Sequence, residues 1–150
     1  MIRSKRVVDK RYAQGRGDYE KVIAKIERQG SCPFCPANFK YHKKPILKRA
    51  GGWFITENNW PYKGASHHLI VISKKHKENF SELTDKDFFA MRRLVQWANK
   101  KFKIKGGAMA LRFGDTHYTG ATVCHLHFHL ITPTRARTKL SKKPIYFGIG

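Results

Sequence analysis

The sequence has few acidic residues, few cysteines and no long apolar run. Only 10 Asp and Glu residues stand against 31 Lys and Arg residues, so the formal net charge is +21 at pH 7. No apolar run approaches the roughly 20 residues that a membrane-spanning helix needs, and the basic start at residues 1–17 lacks the apolar segment of a secretory signal peptide. Three cysteines, two of them in one Cys-x-x-Cys pair, favour a metal or redox site in a reducing compartment. We therefore expect a cytoplasmic protein without a membrane anchor.

The excess positive charge includes basic clusters at both ends of the chain, in residues 1–17 and 133–144. One interpretation is a solubilising surface, and the other is attraction to polyanions such as nucleotides, RNA or DNA. Terminal arms of this kind are often mobile and solvated. We keep both interpretations open and expect no more than weak, non-specific nucleic-acid binding.

The length of the chain favours a single domain. With 150 residues, 41% of them hydrophobic, it can bury one core of useful size. We expect that core within about 32–131. A basic N-terminal extension (1–31) precedes it and a basic C-terminal tail (132–150) follows it.

Apolar spacing predicts the elements of this domain. Helical spacing indicates an N-terminal helix at 18–29 and a long helix at about 85–101, the second opened by a capping box of Thr84 and Asp87. Strand patterns occur at 46–48, 53–56, 68–72, 108–113 and 123–131. Together they predict an α+β fold with a largely antiparallel sheet of about five strands, one long helix and an N-terminal helix.

The most informative segment is 120–131, in which His125, His127 and His129 alternate with apolar residues. Successive side chains of a strand point to opposite faces, so a strand would place the three imidazoles on one face. Buried imidazoles need partners, and three on one face without a function would be expensive to desolvate. A metal-binding strand or an incidental polar face are the alternatives, but the pattern favours catalysis.

The His-x-His-x-His pattern of residues 125–131, with apolar residues between and after the histidines, resembles the signature of the histidine triad family. The stretch 68–76, which ends in Ser-Lys-Lys-His, is similar to a family strand that ends in Pro-Lys-x-His, with Ser73 where proline is usual. Residues 59–62, Asn-Trp-Pro-Tyr, are similar to the nucleotide-facing loop before that strand. The resemblance extends over about residues 32–131 and implies a nucleotide-cleaving enzyme.

The resemblance implies a covalent mechanism. His127 attacks the α-phosphorus of a nucleotide, and water or another acceptor then resolves the nucleotidyl-histidine intermediate. The other ring nitrogen of His127 must be held in one tautomer, for which a backbone carbonyl is suited. His129 donates to phosphate oxygens, and His125 completes the catalytic group. The expected substrate-binding residues are Thr122, Asn59, His68 and Asp115.

Two positions depart from the family pattern. Many relatives have Asn or Gln about eleven residues before the first histidine, where this chain has Gly114 followed by Asp115. They often have Gln just before the phosphate-contacting hydroxyl residue, where this chain has Ala121. Asp115 either replaces the missing polar contact or serves as a turn residue, and the preferred leaving group stays open.

Cys32-Pro-Phe-Cys35 is a second candidate site, with a redox pair or two unrelated thiols as alternatives. No thioredoxin-like pattern surrounds it. Some histidine triad proteins, and the related galactose-1-phosphate uridylyltransferases, resemble this chain in such a pair. That resemblance implies a structural zinc ion held by Cys32, Cys35, His76 and His125, since two thiolates and two imidazoles suit tetrahedral zinc.

The predicted function is that of a nucleotidyl hydrolase or transferase acting on a nucleoside phosphoramidate or a dinucleoside polyphosphate. Alternatives are aprataxin-like removal of AMP from nucleic-acid ends and a non-catalytic, zinc-bearing nucleic-acid-binding protein. The resemblance also implies a homodimer formed through the long helix and an edge strand. Trp97, at one border of the apolar stripe of that helix, would serve the interface or the core.

Overall fold

The apolar strand segments pair into one antiparallel sheet. The computed structural model describes residues 6–134 and 144–150. Its strands are β1 (Ile46–Ala50), β2 (Trp53–Glu57), β3 (Ala65–Ser73), β4 (Ala108–Leu111) and β5 (His127–Pro133). They lie in the order β1-β2-β3-β5-β4, and each neighbouring pair is antiparallel. The predicted α+β fold with five strands is confirmed.

The two predicted helices are also present. Helix α1 (Asp18–Gln29) ends at Gly30, whose left-handed conformation (φ 67°) suits glycine. Helix α2 (Asp85–Lys101) begins with the predicted capping box of Thr84 and Asp87. A single turn, α3 (Thr116–Thr119), follows β4, and short 3-10 helices lie at Lys10–Ala13, Pro36–Tyr41 and Phe80–Glu82. Among the described residues, no helix is long and apolar enough to cross a membrane.

Helix α2 covers one face of the sheet and leaves the other for the histidines. Leu94 of α2 is fully buried and belongs to the same core cluster as Val71 and Phe128 of the sheet. Because side chains alternate along β5, His127 and His129 point away from α2. Trp97 packs partly buried against this core, with its ring 6.1 Å from that of Phe102.

The predicted strand at 123–131 was wrong at its start, since β5 begins only at His127. Residues 122–124 bond to the N-terminal segment instead of to the sheet. Asp9 N donates to the carbonyl of Thr122 (2.7 Å), Cys124 N donates to that of Val7 (2.9 Å), and Val8 forms an isolated bridge with Val123. Strand alternation therefore does not fix the direction of His125.

The N-terminal extension is not a solvated arm over its described part. Val8 and Asp9 are almost fully buried, and Ile23 and Ile26 of α1 join Val8 in a second core cluster. The backbone bonds to residues 122–124 explain this packing. The other charged stretches, 1–5 and 135–143, lie outside the described residues, and nucleic-acid binding stays a prediction.

One buried carboxylate joins α2 to the sheet. Asp87 accepts hydrogen bonds from Trp53 Nε1 (2.8 Å), Lys77 Nζ (2.7 Å) and Thr84 N (2.8 Å). Burial by itself raises the pKa of Asp87, but these hydrogen bonds outweigh it and hold the pKa well below its usual value. The charged carboxylate thus stabilises the fold at neutral pH.

We predict that Asp87→Ala lowers the free energy of unfolding by about 3 kcal/mol at pH 7, because it leaves Lys77 and Trp53 without their buried acceptor. Chemical denaturation measures this. The control is Lys86→Ala, at the exposed position of α2 directly before Asp87. It should change the free energy of unfolding by less than about 0.5 kcal/mol.

The same substitution has an expected pH dependence. A carboxyl group with a lowered pKa in the folded state stabilises the protein above its unfolded pKa, and that stabilisation is lost as the pH falls. The difference between wild type and Asp87→Ala should therefore shrink below about pH 4. A difference that is small at pH 7, or constant down to pH 2, would contradict the role assigned to Asp87.

Candidate active site and metal centre

A cavity of about 270 Å³ lies against the histidine face of the sheet. Its floor includes His127 and His129, and Thr122 lies beside them. Its walls are aromatic and basic, and the residues that form them include Tyr12, Arg16, Tyr19, Tyr41, Trp60, Tyr62 and Arg112. An enclosed pocket with a few converging polar groups is the usual form of a small-molecule site.

The predicted nucleophile is held in one tautomer. His127 Nδ1 lies 2.7 Å from the carbonyl oxygen of His125. A carbonyl only accepts, so Nδ1 carries the proton and Nε2 keeps a free lone pair. Burial lowers the pKa of His127 to about 4, so the ring is neutral at pH 7. His127 thus combines an oriented ring with an unprotonated nitrogen.

His129 belongs to a chain of hydrogen bonds whose direction can be worked out. Tyr62 N donates to His68 Nδ1 (3.0 Å), so His68 carries its proton on Nε2. That nitrogen lies 2.8 Å from His129 Nδ1, which must then accept. Burial lowers the pKa of both histidines, which keeps both rings neutral. The remaining proton of His129 is therefore on Nε2, where the ring is a hydrogen-bond donor.

The four predicted metal ligands lie together. Cys32, Cys35, His76 and His125 bring one ligand atom each to within 4.8 Å of all the others. Cys32 Sγ is 3.3 Å and Cys35 Sγ 3.8 Å from His125 Nδ1, and the Nδ1 atoms of the two histidines are 3.2 Å apart. These separations match the edges of a tetrahedron around a zinc ion with bonds of 2.0–2.3 Å.

The surroundings of the cluster also fit a cation. His125 Nε2 lies 2.6 Å from the carbonyl of Ser73, and His76 Nε2 lies 2.8 Å from a Glu78 carboxylate oxygen. Both outer nitrogens face acceptors, which leaves both Nδ1 atoms free to bind a metal. Burial raises the pKa of Cys32 to about 12, and a cation is the group that would favour its thiolate.

His125 serves this cluster and is not among the residues that line the cavity. Its imidazole lies with the cysteines, while its carbonyl holds His127. Of the predicted substrate-binding residues, Thr122 and Asn59 line the cavity, and Asn59 Oδ1 is buried without a partner among the described residues. His68 lies behind His129. Asp115 is exposed and caps α3 by accepting from His117 N (2.9 Å), so the turn role fits it.

Sequence reasoning missed the N-terminal wall of the cavity. Tyr12, Arg16 and Tyr19 follow each other at intervals of four and three residues, but Gly15 and Gly17, both with positive φ, interrupt the helical path between them. No local pattern marks these side chains as parts of a site. The long-range bonds of residues 7–9 to 122–124 bring them there.

Comparison with known proteins identifies the family of this chain. The pattern of a protein family described as "Scavenger mRNA decapping enzyme C-term binding" matches residues 31–143. The chain belongs to this histidine triad-like family. A comparison with curated proteins finds no match. The family assignment confirms the resemblance seen in the histidine pattern.

Solved structures of histidine triad proteins share the fold at low identity. A HIT family hydrolase from Clostridium thermocellum is 23% identical, with a TM-score of 0.54 over 78% of this chain and 97% of its own. A zinc-bound histidine triad family protein from Mycobacterium smegmatis is 22% identical (TM-score 0.54, 75% and 81%). A histidine triad nucleotide-binding protein from Candida albicans is 18% identical (TM-score 0.55, 75% and 87%). At these identities the likeness establishes the fold.

We predict that the purified protein contains about one zinc ion per chain, bound to the four clustered residues. Metal analysis measures the content, and Cys35→Ser should reduce it strongly. A structural zinc site contributes roughly 10 kcal/mol or more to folding, so Cys35→Ser and chelation should both lower the melting temperature sharply.

Cys124→Ser is the matched control, because Cys124 is a free cysteine outside the cluster. It should leave the zinc content unchanged. Metal-free protein with the melting temperature of the untreated protein would contradict a structural metal site.

Proposed function

We propose that the protein is a nucleotidyl hydrolase or transferase that cleaves a nucleoside phosphoramidate or a dinucleoside polyphosphate through a covalent intermediate on His127. The observation that carries the proposal is the hydrogen bond from His127 Nδ1 to the carbonyl of His125. It leaves the opposite ring nitrogen unprotonated in a cavity of about 270 Å³. The family assignment supports the same chemistry.

In the first step, the lone pair of His127 Nε2 attacks the α-phosphorus of the substrate. A P–N bond forms to His127, and the bond from phosphorus to the leaving group breaks, with its electron pair going to the leaving group. In the second step, water attacks the same phosphorus. The P–N bond then breaks with its electron pair returning to His127 Nε2, the proton released by the attacking water passes to solvent, and a nucleoside monophosphate leaves.

The neighbouring donors are suited to the charge that develops on the phosphate oxygens. His129 keeps its proton on Nε2 because His68 donates to its Nδ1. Thr122 adds a hydroxyl at the edge of the cavity. Donors that are already oriented stabilise a phosphoryl transition state without reorganisation. In this proposal His68 acts as a positioning residue behind His129.

Zinc bound by the cluster would have a structural role. Its four protein ligands leave no open position for a reacting water. Bound metal would fix the imidazole of His125, and with it the carbonyl that orients His127. Cys32 and Cys35 would thereby influence catalysis without contacting the substrate.

We predict that His127→Asn reduces turnover at least about a thousandfold, because it removes the attacking nitrogen. The substrate panel includes adenosine and guanosine phosphoramidates, dinucleoside polyphosphates, a 5′-adenylated oligonucleotide and, because of the matched family, a methylated cap dinucleotide. Acid-labile nucleotidyl-protein should be trapped on the wild type and be absent from the variant.

The matched control is His67→Asn on the same sheet, since His67 contacts Phe102 outside the cavity. It should keep near-normal turnover. Normal turnover by folded His127→Asn protein would refute the mechanism. Undetectable turnover of the whole panel by the zinc-loaded wild type would favour the non-catalytic alternative.

The proposal includes a homodimer. Strand β4 lies at the edge of the sheet, and its Met109 is 53% exposed. An open strand edge with an apolar side chain pairs readily with a second copy. We predict a dimer mass at micromolar concentration in light scattering. A monomer mass would contradict the prediction, and Met109→Lys should shift the equilibrium towards monomer.

A further inference from the structure

Two arginines, Arg16 and Arg112, line the cavity together with His127 and His129. Arg16 precedes α1, and Arg112 follows β4. Burial is the largest cause of the lowered pKa of His68, His127 and His129. The positive charge of Arg112 further lowers the pKa of His127 and His129, and the charge of Arg16 further lowers the pKa of His68 and His129.

The first arginine is held by aromatic rings. The guanidinium carbon of Arg16 lies 4.3 Å from the centre of the Tyr19 ring, and that ring lies 4.7 Å from the ring of Trp60. Tyr19 also has the Thr122 side chain as a hydrogen-bond neighbour. The stack therefore holds a permanent positive charge in the wall of the cavity that also contains His127.

The second arginine is held by residues near the end of the described chain. Its guanidinium carbon lies 3.6 Å from the centre of the Phe147 ring, and Arg112 Nε donates to the carbonyl of Gly148 (3.0 Å). The Phe147 ring lies 5.2 Å from that of His129. Among the described residues, neither Arg112 nor Arg16 forms an ion pair with a carboxylate.

The wall that carries Arg16 is fixed in place. Asp9 is 1% exposed, and its carboxylate accepts hydrogen bonds from Arg11 Nε (2.9 Å) and Thr116 Oγ1 (2.7 Å). The backbone N of Asp9 donates to the carbonyl of Thr122. The hydrogen bond from Arg11 lowers the pKa of Asp9 well below its usual value. The segment before α1 is thus a permanent part of the cavity.

We propose that Arg16 and Arg112 bind phosphate on the leaving group, so that the preferred substrate is a nucleoside polyphosphate and not a phosphoramidate. This inference rests on the proposed function, and it assigns a role to two positive charges that no carboxylate balances in the described part of the chain. Gly114 and Ala121 carry no side-chain hydrogen-bond donor. Gly114 is also absent from the residues that line the cavity.

The chemistry of the leaving group supports a polyphosphate substrate. When the α-phosphorus bond of diadenosine triphosphate breaks, the electron pair goes to an oxygen of ADP, which leaves as an anion. An arginine stabilises that anion through charge-assisted hydrogen bonds. When a phosphoramidate breaks, the nitrogen must gain a proton, and an arginine, whose pKa exceeds 12, does not supply one. Two arginines therefore favour a phosphate leaving group.

The test compares two substrates with the same adenylyl group, diadenosine triphosphate and adenosine 5′-phosphoramidate. The double variant Arg16→Gln/Arg112→Gln should lose at least about tenfold in kcat/KM for the triphosphate and less than about threefold for the phosphoramidate. Arg112→Lys, which keeps the charge, should retain most of the triphosphate activity. The control Arg28→Gln/Arg93→Gln removes two exposed charges outside the cavity and should change neither value.

A binding measurement separates this inference from the proposed function. Inorganic tripolyphosphate, titrated by calorimetry at fixed ionic strength, should bind the wild type and the control at least about tenfold more tightly than the double variant. Unchanged tripolyphosphate binding, or equal losses for both substrates, would overturn the inference. A wild type that binds tripolyphosphate through these arginines but cleaves neither substrate would overturn the proposed function and leave the phosphate site supported.

Discussion

In the candidate active site, the orientation of His127 depends on one hydrogen bond from its Nδ1 to the carbonyl of His125. The residue that supplies this carbonyl also places its imidazole among Cys32, Cys35 and His76. A cluster that fixes His125 therefore fixes the tautomer and the direction of His127. The metal centre and the proposed nucleophile are coupled through a single residue, and the remaining parts of the site are arranged around that residue.

The sheet provides the second constraint. Strand β5 lies between β3 and β4, so its backbone is held on both sides. His68 on β3 reaches His129 across the pair, and Tyr62 fixes the proton on His68. The core beneath α2 holds the same strands from the opposite face through Phe128 and Val71. The proposed catalytic geometry therefore rests on a strand that is paired on both sides and packed against the core through Phe128 and Leu130.

The N-terminal segment changes what the fold offers to a substrate. The family match begins at residue 31, yet residues 12–26 form one wall of the cavity. Their position follows from two backbone hydrogen bonds between residues 7–9 and 122–124, which together form the Val8–Val123 bridge, and from the buried carboxylate of Asp9. Residues outside the matched segment therefore contribute to the lining of the cavity.

The sequence by itself determined most of the elements and the family, and the family resemblance implied the four residues of the candidate metal cluster. Periodicity and capping located α1 and α2, and the spacing of the histidines identified the strand with the proposed nucleophile. These features are local, or they belong to a family motif, so they can be read along the chain. Tertiary structure decided where β5 starts and where the His125 side chain points. It also decided that His68 and Asp115 do not line the cavity. The positions of Arg16 and Arg112 were also decided by tertiary structure. Each depends on contacts between residues far apart in the sequence, which no local pattern records.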